Sequence, residues 1–190
     1  MHDAQRAPIT LILMTILALA GTAAHGSSLP DPVARGPYSW QRVGGGDLRW
    51  FGMPIYEASL WTADGRYLAS DAGQPVALSL WYRRDFSREE LLRITGAAWN
   101  LLGETPRQQQ QDWLAALGRV WSDVARGHNL TAVVLPGGET LFYNHQRLLG
   151  RIDDPQFGPA FLAIWLHPRS VVADLRVQLL GGESAGTISY

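Results

Sequence analysis

The sequence contains no cysteine and no lysine. Without cysteine the chain can form neither a disulfide nor the thioether of a lipid-anchored lipoprotein, and without lysine it cannot form a Schiff base. The basic side chains, all arginine, number 16 against 17 Asp and Glu residues, which leaves a net charge of −1. No strongly basic face follows from this balance, so we expect no nucleic-acid partner.

Motifs for metal, phosphate and serine-hydrolase chemistry are also missing. His128, His145 and His167 lack the spacing of a metal motif. The glycine runs at 44–46 and 137–138 lack the strand-to-helix setting and the Lys-Ser/Thr end of a phosphate loop, and there is no Gly-x-Ser-x-Gly elbow. We therefore predict no metal site and no cofactor.

The first 26 residues have the layout of a secretory signal peptide. A polar stretch bearing Arg6 leads into an apolar block at 9–20, which is shorter than the roughly 20 residues of a membrane-spanning helix. Small residues follow at Ala24 and Gly26. We predict cleavage after Gly26 and a periplasmic mature protein with no membrane span, and an uncleaved membrane anchor is the alternative. The predicted divisions are a signal peptide (1–26), a flexible Pro-punctuated leader (27–37), a domain (38–182) and a tail (183–190).

The pattern after the signal peptide predicts an α+β domain. Residues 48–62 indicate a strand, a kink or bulge at 52–54 and a second strand, and residues 76–82 indicate a strand with one buried face. Two capping boxes predict helices beginning near Ser87 and Thr105, and three short strands and two closing helices follow. Because strands and helices do not alternate as βαβ units, we predict an antiparallel sheet with helices gathered on one face.

Arg49 is the most informative charged residue in this pattern. It stands between Leu48 and Trp50 in a predicted strand, where an inward-facing cation costs free energy unless an anion pairs with it. An inward Arg49 would bind the carboxylate of an acidic ligand whose apolar part fills a groove between sheet and helices. An outward Arg49 would be a surface residue paired with Glu57 or Asp47. The break at 52–54 leaves both interpretations open.

Seven segments, taken in order, carry a family resemblance. They are residues 46–49 (GDLR), 55–61 (IYEASLW), 77–82 (ALSLWY), 123–130 (DVARGHNL), 149–152 (LGRI), 157–166 (FGPAFLAIWL) and 175–181 (LRVQLLG). Together they resemble the bacterial, exported branch of the chalcone isomerase-like family, over nearly the whole chain after the signal peptide. The resemblance implies an open-faced β-sandwich, in which a large antiparallel sheet is covered by a layer of helices and a ligand cleft opens between them.

In that family the plant enzymes cyclise chalcones to flavanones, whereas related non-catalytic members bind fatty acids. By position, Arg49 resembles the arginine that steadies an isomerase oxyanion or holds a fatty-acid carboxylate. Tyr56 stands where the enzymes have a catalytic threonine and the binders a tyrosine. Trp99 and Asn100 lie in the helix that carries a Tyr and Asn pair in the enzymes. The resemblance thus implies a ligand site of Arg49, Tyr56, Trp99 and Asn100.

Three functions follow as hypotheses. The leading one is a periplasmic, non-catalytic protein that binds a small amphipathic, fatty-acid-like acid. An alternative is an isomerase, an intramolecular lyase, with Arg49 stabilising the oxyanion and Tyr56 donating a proton. Another alternative is an envelope protein-interaction module, which predicts Trp50, Trp61 and Trp81 on an exposed patch.

Overall fold

The computed structural model describes residues 28–69 and 73–182. The predicted signal peptide (1–26) and tail (183–190) lie outside the described residues. One antiparallel sheet contains six strands in chain order: β1 (Gln41–Trp50), β2 (Met53–Thr62), β3 (Val76–Tyr82), β4 (Asn129–Val134), β5 (Thr140–Tyr143) and β6 (Leu148–Ile152). The helices in the same residues are α1 (Asp31–Ala34), α2 (Arg88–Leu102), α3 (Arg107–Val120), α4 (Phe157–Leu166) and α5 (Ala173–Leu179).

The two strands predicted within residues 48–62 are present as β1, which begins earlier at Gln41, and β2, but a tight hairpin turn joins them in place of the predicted kink or bulge at 52–54. Phe51 and Gly52 both have positive φ angles, 47° and 78°, as in a two-residue type I′ turn. Such turns favour Asn-Gly or Asp-Gly, so a phenylalanine at the first position hides the turn signal. A register shift between Leu48 and Arg49 follows directly on this turn. The turn and the register shift together set which side chains of β1 face the helices.

Helix α2 begins and ends as its sequence indicates. The Ser87 side chain accepts a hydrogen bond from the Glu90 N–H, and the Glu90 carboxylate accepts one from the Ser87 N–H, so the predicted capping box is confirmed. Gly103 ends the helix in the left-handed conformation. The second predicted box is wrong, because α3 follows Pro106 without a side-chain cap and Gln110 Nε2 donates to the Thr105 carbonyl instead.

Helices α2 to α5 cover one face of the sheet, and the main hydrophobic core lies between these two layers. The large side chains that are fully buried there are Leu60, Leu78, Phe142, Trp99, Leu117, Phe157 and Leu179. The predicted α+β fold, with a large antiparallel sheet covered by helices, is confirmed. Over residues 28–69 and 73–182, no helix is long and apolar enough to cross a bilayer.

The glycine run in β1 lets helix α5 approach the strand closely. A Cβ added at Gly44 would overlap the main-chain carbonyl of Gln178, and one at Gly46 would overlap the Gln178 side chain. These glycines are therefore explained by backbone packing of a helix on a strand.

The segment predicted as a flexible leader is packed against the other face of the sheet. Leu29 and Val33 are buried in a small cluster with Ala77 and Val133, and Trp40 Nε1 donates to the Val33 carbonyl at 3.1 Å. The prolines suggested a loop, but they also permit the short helix α1, which turns Val33 onto the strands. In the part of the chain that the structure describes, helices therefore lie on both faces of the sheet, four on one and α1 on the other.

Candidate functional site

A large cleft opens between the sheet and helices α2 and α4. Its volume is about 1020 Å³, at the upper end of the roughly 300–1,000 Å³ that is typical of ligand pockets. Strands, helices and the loops beside them contribute an apolar lining that includes Leu48, Ile55, Leu80, Phe86, Leu91, Ala98, Phe161 and Ile164. The size and the lining suit the apolar part of a small molecule.

Two tyrosines line the sheet side of the cleft. Tyr56 on β2 and Tyr82 on β3 are register partners, and their rings meet edge to face with centroids 5.9 Å apart. The Trp165 indole N–H on α4 donates to the Tyr56 phenol oxygen at 2.9 Å. This contact occupies the oxygen as an acceptor, and the Tyr56 O–H remains a donor that a ligand oxygen could meet.

Burial changes the acidity of both phenols in the same direction. It raises the pKa of Tyr56 to about 12, and the Trp165 hydrogen bond acts in the opposite direction. Burial, followed by the neighbouring Tyr56 charge, also raises the pKa of Tyr82. Both side chains are therefore protonated near neutral pH. They can donate hydrogen bonds, but their pKa values are far from those that suit acid–base catalysis at neutral pH.

The charged residues that line the cleft are all arginines, namely Arg83, Arg84, Arg93 and Arg126. Arg83 Nη2 pairs with Glu57 Oε2 at 2.6 Å. The other three are exposed and have no carboxylate within 4.0 Å in the part of the chain that the structure describes. The Arg84 guanidinium carbon lies 4.0 Å from the Phe86 ring centroid, a cation–π contact that leaves its N–H groups free.

Two acidic residues on the same segments already accept hydrogen bonds from backbone N–H groups. Glu90 accepts from the Ser87 N–H at 2.9 Å, and Asp85 accepts from the Arg126 N–H at 2.7 Å. The N–H bond from Ser87 is the main reason that the pKa of Glu90 is lowered, with Arg84 and Arg93 contributing less. The cleft therefore combines an apolar interior with a cationic rim.

A model of the chalcone isomerase-like family matches residues 22–181 of the sequence. The chain belongs to the chalcone isomerase-like family. No curated protein matches it. Among solved structures, the crystal structure of a fatty-acid binding protein from Arabidopsis thaliana matches with a TM-score of 0.59 and 10% sequence identity. That match covers 81% of this chain and 89% of the Arabidopsis chain. At this identity the likeness shows a shared fold.

Of the residues that family resemblance suggested for the site, Arg49 does not line the cleft. Its Nη1 donates to the Gly52 carbonyl at 3.3 Å, and its Nη2 lies 3.9 Å from Asp47 Oδ2. Because side chains alternate along a strand, Leu48 and Trp50 turn to the cleft and Arg49 turns to the other face. This geometry agrees with the outward interpretation, in which Arg49 pairs with Asp47.

Tyr56 is the one suggested residue that lines the cleft. Trp99 is buried in the core, where its indole N–H donates to the Ala160 carbonyl at 2.9 Å, and Asn100 is exposed. Helix α2 contributes its residues 91, 93, 94, 95 and 98 to the cleft lining, and Trp99 and Asn100 are not among the lining residues. The isomerase hypothesis requires Arg49 and Tyr56 at one ligand position, and the structure does not bring them together there.

The tryptophans of the interaction-module hypothesis do not form one patch. Trp50 is 64% exposed beside the β1–β2 turn. Trp61 and Trp81 are partly buried, and they face the opposite side of the sheet because they alternate with cleft-side residues such as Leu60 and Leu80. Only Trp50 has the exposure that this hypothesis needs.

Proposed function

We propose that this member of the chalcone isomerase-like family is an exported, non-catalytic protein that binds a fatty-acid-like carboxylic acid in its cleft. The observation that carries the proposal is the lining: an apolar cleft of about 1020 Å³ whose charged residues are all arginines. An amphipathic acid has the complementary distribution, with one apolar body and one negative end.

The carboxylate belongs at the rim and the acyl chain inside. On the sheet side of the cleft, Tyr56 and Tyr82 offer neutral phenol donors, and an ionised carboxylate buried there without a cation would cost several kcal/mol, on the order of the penalty for an unpaired buried charge. At the rim, Arg84, Arg93 and Arg126 offer charged donors that no carboxylate occupies in the described residues. These donors hold a carboxylate by charge-assisted hydrogen bonds.

Two further observations support binding over isomerisation. The Tyr56 phenol, with its pKa raised to about 12, is a hydrogen-bond donor at neutral pH and a poor proton shuttle. Arg49, the candidate oxyanion stabiliser, is tied to Asp47 and the Gly52 carbonyl away from the cleft. The name of the Arabidopsis neighbour, a fatty-acid binding protein, agrees with this choice.

Export rests on the sequence of residues 1–26, with its apolar block and small residues up to Gly26. We expect the protein expressed in a Gram-negative bacterium to appear in the periplasmic fraction, with an intact mass that lacks residues 1–26. Full-length protein in the membrane fraction would support the uncleaved anchor instead.

Filling the cleft is expected to weaken ligand binding. Ala98 lines the cleft on α2, and an Ala98→Trp variant would place a large ring in the space of the acyl chain. We expect at least about tenfold weaker binding of a fluorescent fatty acid, because lost apolar burial of about 1.4 kcal/mol is tenfold in affinity. Titration of fluorescence in solution measures this.

The matched control is Ala97→Trp, one residue earlier on the same helix, which is exposed and outside the cleft. It should bind as the wild type does, and so should Arg49→Ala. A methyl ester of the same fluorescent acid should bind about tenfold more weakly than the acid, since hydrogen bonds to a charged group are worth about 1.5–3 kcal/mol. No binding by the wild type, or equal losses in Ala97→Trp and Ala98→Trp, would contradict the proposal.

A further inference from the structure

Exposed apolar side chains surround the mouth of the cleft. Trp50, Phe51 and Met53 at the β1–β2 turn are 64%, 89% and 61% exposed, and Ile94 and Val171 across the mouth are 44% and 63% exposed. All of them except Phe51 line the cleft, and the Phe51 ring lies against the Trp50 ring with centroids 5.3 Å apart. We call these five residues the apolar collar. Apolar side chains grouped in this way on a surface commonly mark an interaction site.

Phe51 occupies its position at a conformational cost. Its φ of 47° is left-handed, which costs a residue with a Cβ roughly 1–2 kcal/mol, and asparagine or glycine would adopt it more easily. Its ring is almost fully exposed, so burial within the described residues does not compensate for this strain. Strain of this kind clusters at sites where the strained residue has a function.

The collar is interleaved with cations. Arg84, Arg93 and Arg126 line the same mouth, are exposed and have no carboxylate within 4.0 Å in the described part of the chain. Among residues 28–69 and 73–182, no Asp or Glu lines the mouth, although the whole chain has a net charge of −1. Tryptophan and other amphipathic or apolar side chains favour the boundary between lipid headgroups and acyl chains, and each arginine near an acidic lipid surface contributes about 1 kcal/mol.

We propose that the mouth of the cleft docks on the surface of a bilayer containing acidic phospholipids. The collar enters the boundary between headgroups and acyl chains, and the three arginines contact lipid phosphates. The cleft for an acyl ligand then opens directly onto the bilayer, where fatty acids dissolve. The acyl chain can therefore enter the cleft without crossing water. This last step rests on the proposed function, whereas the docking itself does not.

Vesicle co-sedimentation tests the docking without any fatty acid. The full protein, as purified from the periplasm, is expected to sediment with phosphatidylcholine vesicles that contain phosphatidylglycerol, and to remain in solution with pure phosphatidylcholine. Added salt should weaken sedimentation, because exposed charges are screened. Phe51→Asn should bind the acidic vesicles about tenfold more weakly, since a buried phenylalanine contributes roughly 1.5–3 kcal/mol.

Phe51→Asn is expected to unfold at a higher temperature than the wild type, because asparagine relieves the left-handed strain. Its weaker vesicle binding would therefore not reflect loss of the fold. Leu101→Asn is the control, because Leu101 is 69% exposed on α2 but outside the cleft lining, and it should sediment as the wild type does. Phe51 does not line the cleft, so Phe51→Asn should also keep the affinity for a fluorescent fatty acid in solution.

The possible failures can be told apart. Docking is overturned if the wild type stays in solution with both kinds of vesicle, if Phe51→Asn sediments like the wild type, or if the collar instead mediates a dimer that Phe51→Asn dissociates. In each of these cases the fatty-acid titration still reports on the cleft. If vesicles bind but no acid is bound in solution, docking stands and the proposed function fails.

Discussion

The double charge reversal Arg84→Glu and Arg93→Glu is expected to weaken fatty-acid binding by at least about 100-fold. Each arginine can give a carboxylate a charge-assisted hydrogen bond of about 1.5–3 kcal/mol, and 2.8 kcal/mol corresponds to 100-fold in affinity. The two glutamates would also repel the ligand carboxylate at the mouth. Titration of a fluorescent fatty acid at constant ionic strength gives the ratio of dissociation constants.

A second double variant, Arg49→Glu and Arg119→Glu, makes the same change in net charge away from the cleft. Both residues are exposed and neither lines the cleft, so we expect its affinity to stay within about twofold of the wild type, since distant exposed charges are screened. If the Arg49 and Arg119 variant instead lost more affinity than the Arg84 and Arg93 variant, the ligand carboxylate would bind at Arg49. Thermal unfolding checks the fold, because Arg84 also loses a cation–π contact with Phe86 worth about 0.5–1 kcal/mol.

Much of the fold could be predicted from local patterns. The capping box at Ser87 and Glu90 and the left-handed stop at Gly103 are features whose causes lie within a few residues. Strand β3 was also predicted, but with one buried face, whereas both of its faces are buried. The β1–β2 hairpin could not, because a phenylalanine stands where the turn normally has asparagine, aspartate or glycine. That one turn decided the direction in which Arg49 points.

A backbone pairing between two segments that are distant in sequence brings the arginines of the rim together, and local sequence patterns do not show it. Phe86 and Val124 exchange two backbone hydrogen bonds of 2.9 Å in an isolated bridge, which fixes Arg84 and Arg126 beside the same cleft. These two arginines are far apart in sequence, and each stands next to ordinary loop residues. The Arg83-Arg84 pair directly after a strand was the available signal, but a charge pair at a strand end usually indicates a solvated loop. The family resemblance directed attention to Arg49 instead.

Raising the pH from about 10 to 12 is expected to cost the folded protein several kcal/mol of stability. Burial raises the pKa of Tyr56 to about 12 in the folded chain, above its ordinary value of 10.0, so the fold favours the protonated phenol. The resulting stabilisation is fully present below pH 10 and is lost as the pH rises through 12. Two pKa units at 1.36 kcal/mol each correspond to about 3 kcal/mol from Tyr56. Tyr82, whose pKa is raised in the same direction, adds to the loss.

Urea unfolding at pH 8 and pH 12 measures the loss, and Tyr56→Phe isolates one part of it. At pH 8 this variant should be less stable by about 1 kcal/mol, because the Trp165 N–H loses its acceptor. Between pH 8 and pH 12 it should lose about 2 kcal/mol less than the wild type, because at pH 12 the folded phenol is only half ionised. An identical alkaline loss in both proteins would mean that Tyr56 ionises near its ordinary pKa. A phenol that keeps its proton to pH 12 can donate a hydrogen bond to a bound acid, and its pKa is far from the values that suit acid–base catalysis at neutral pH.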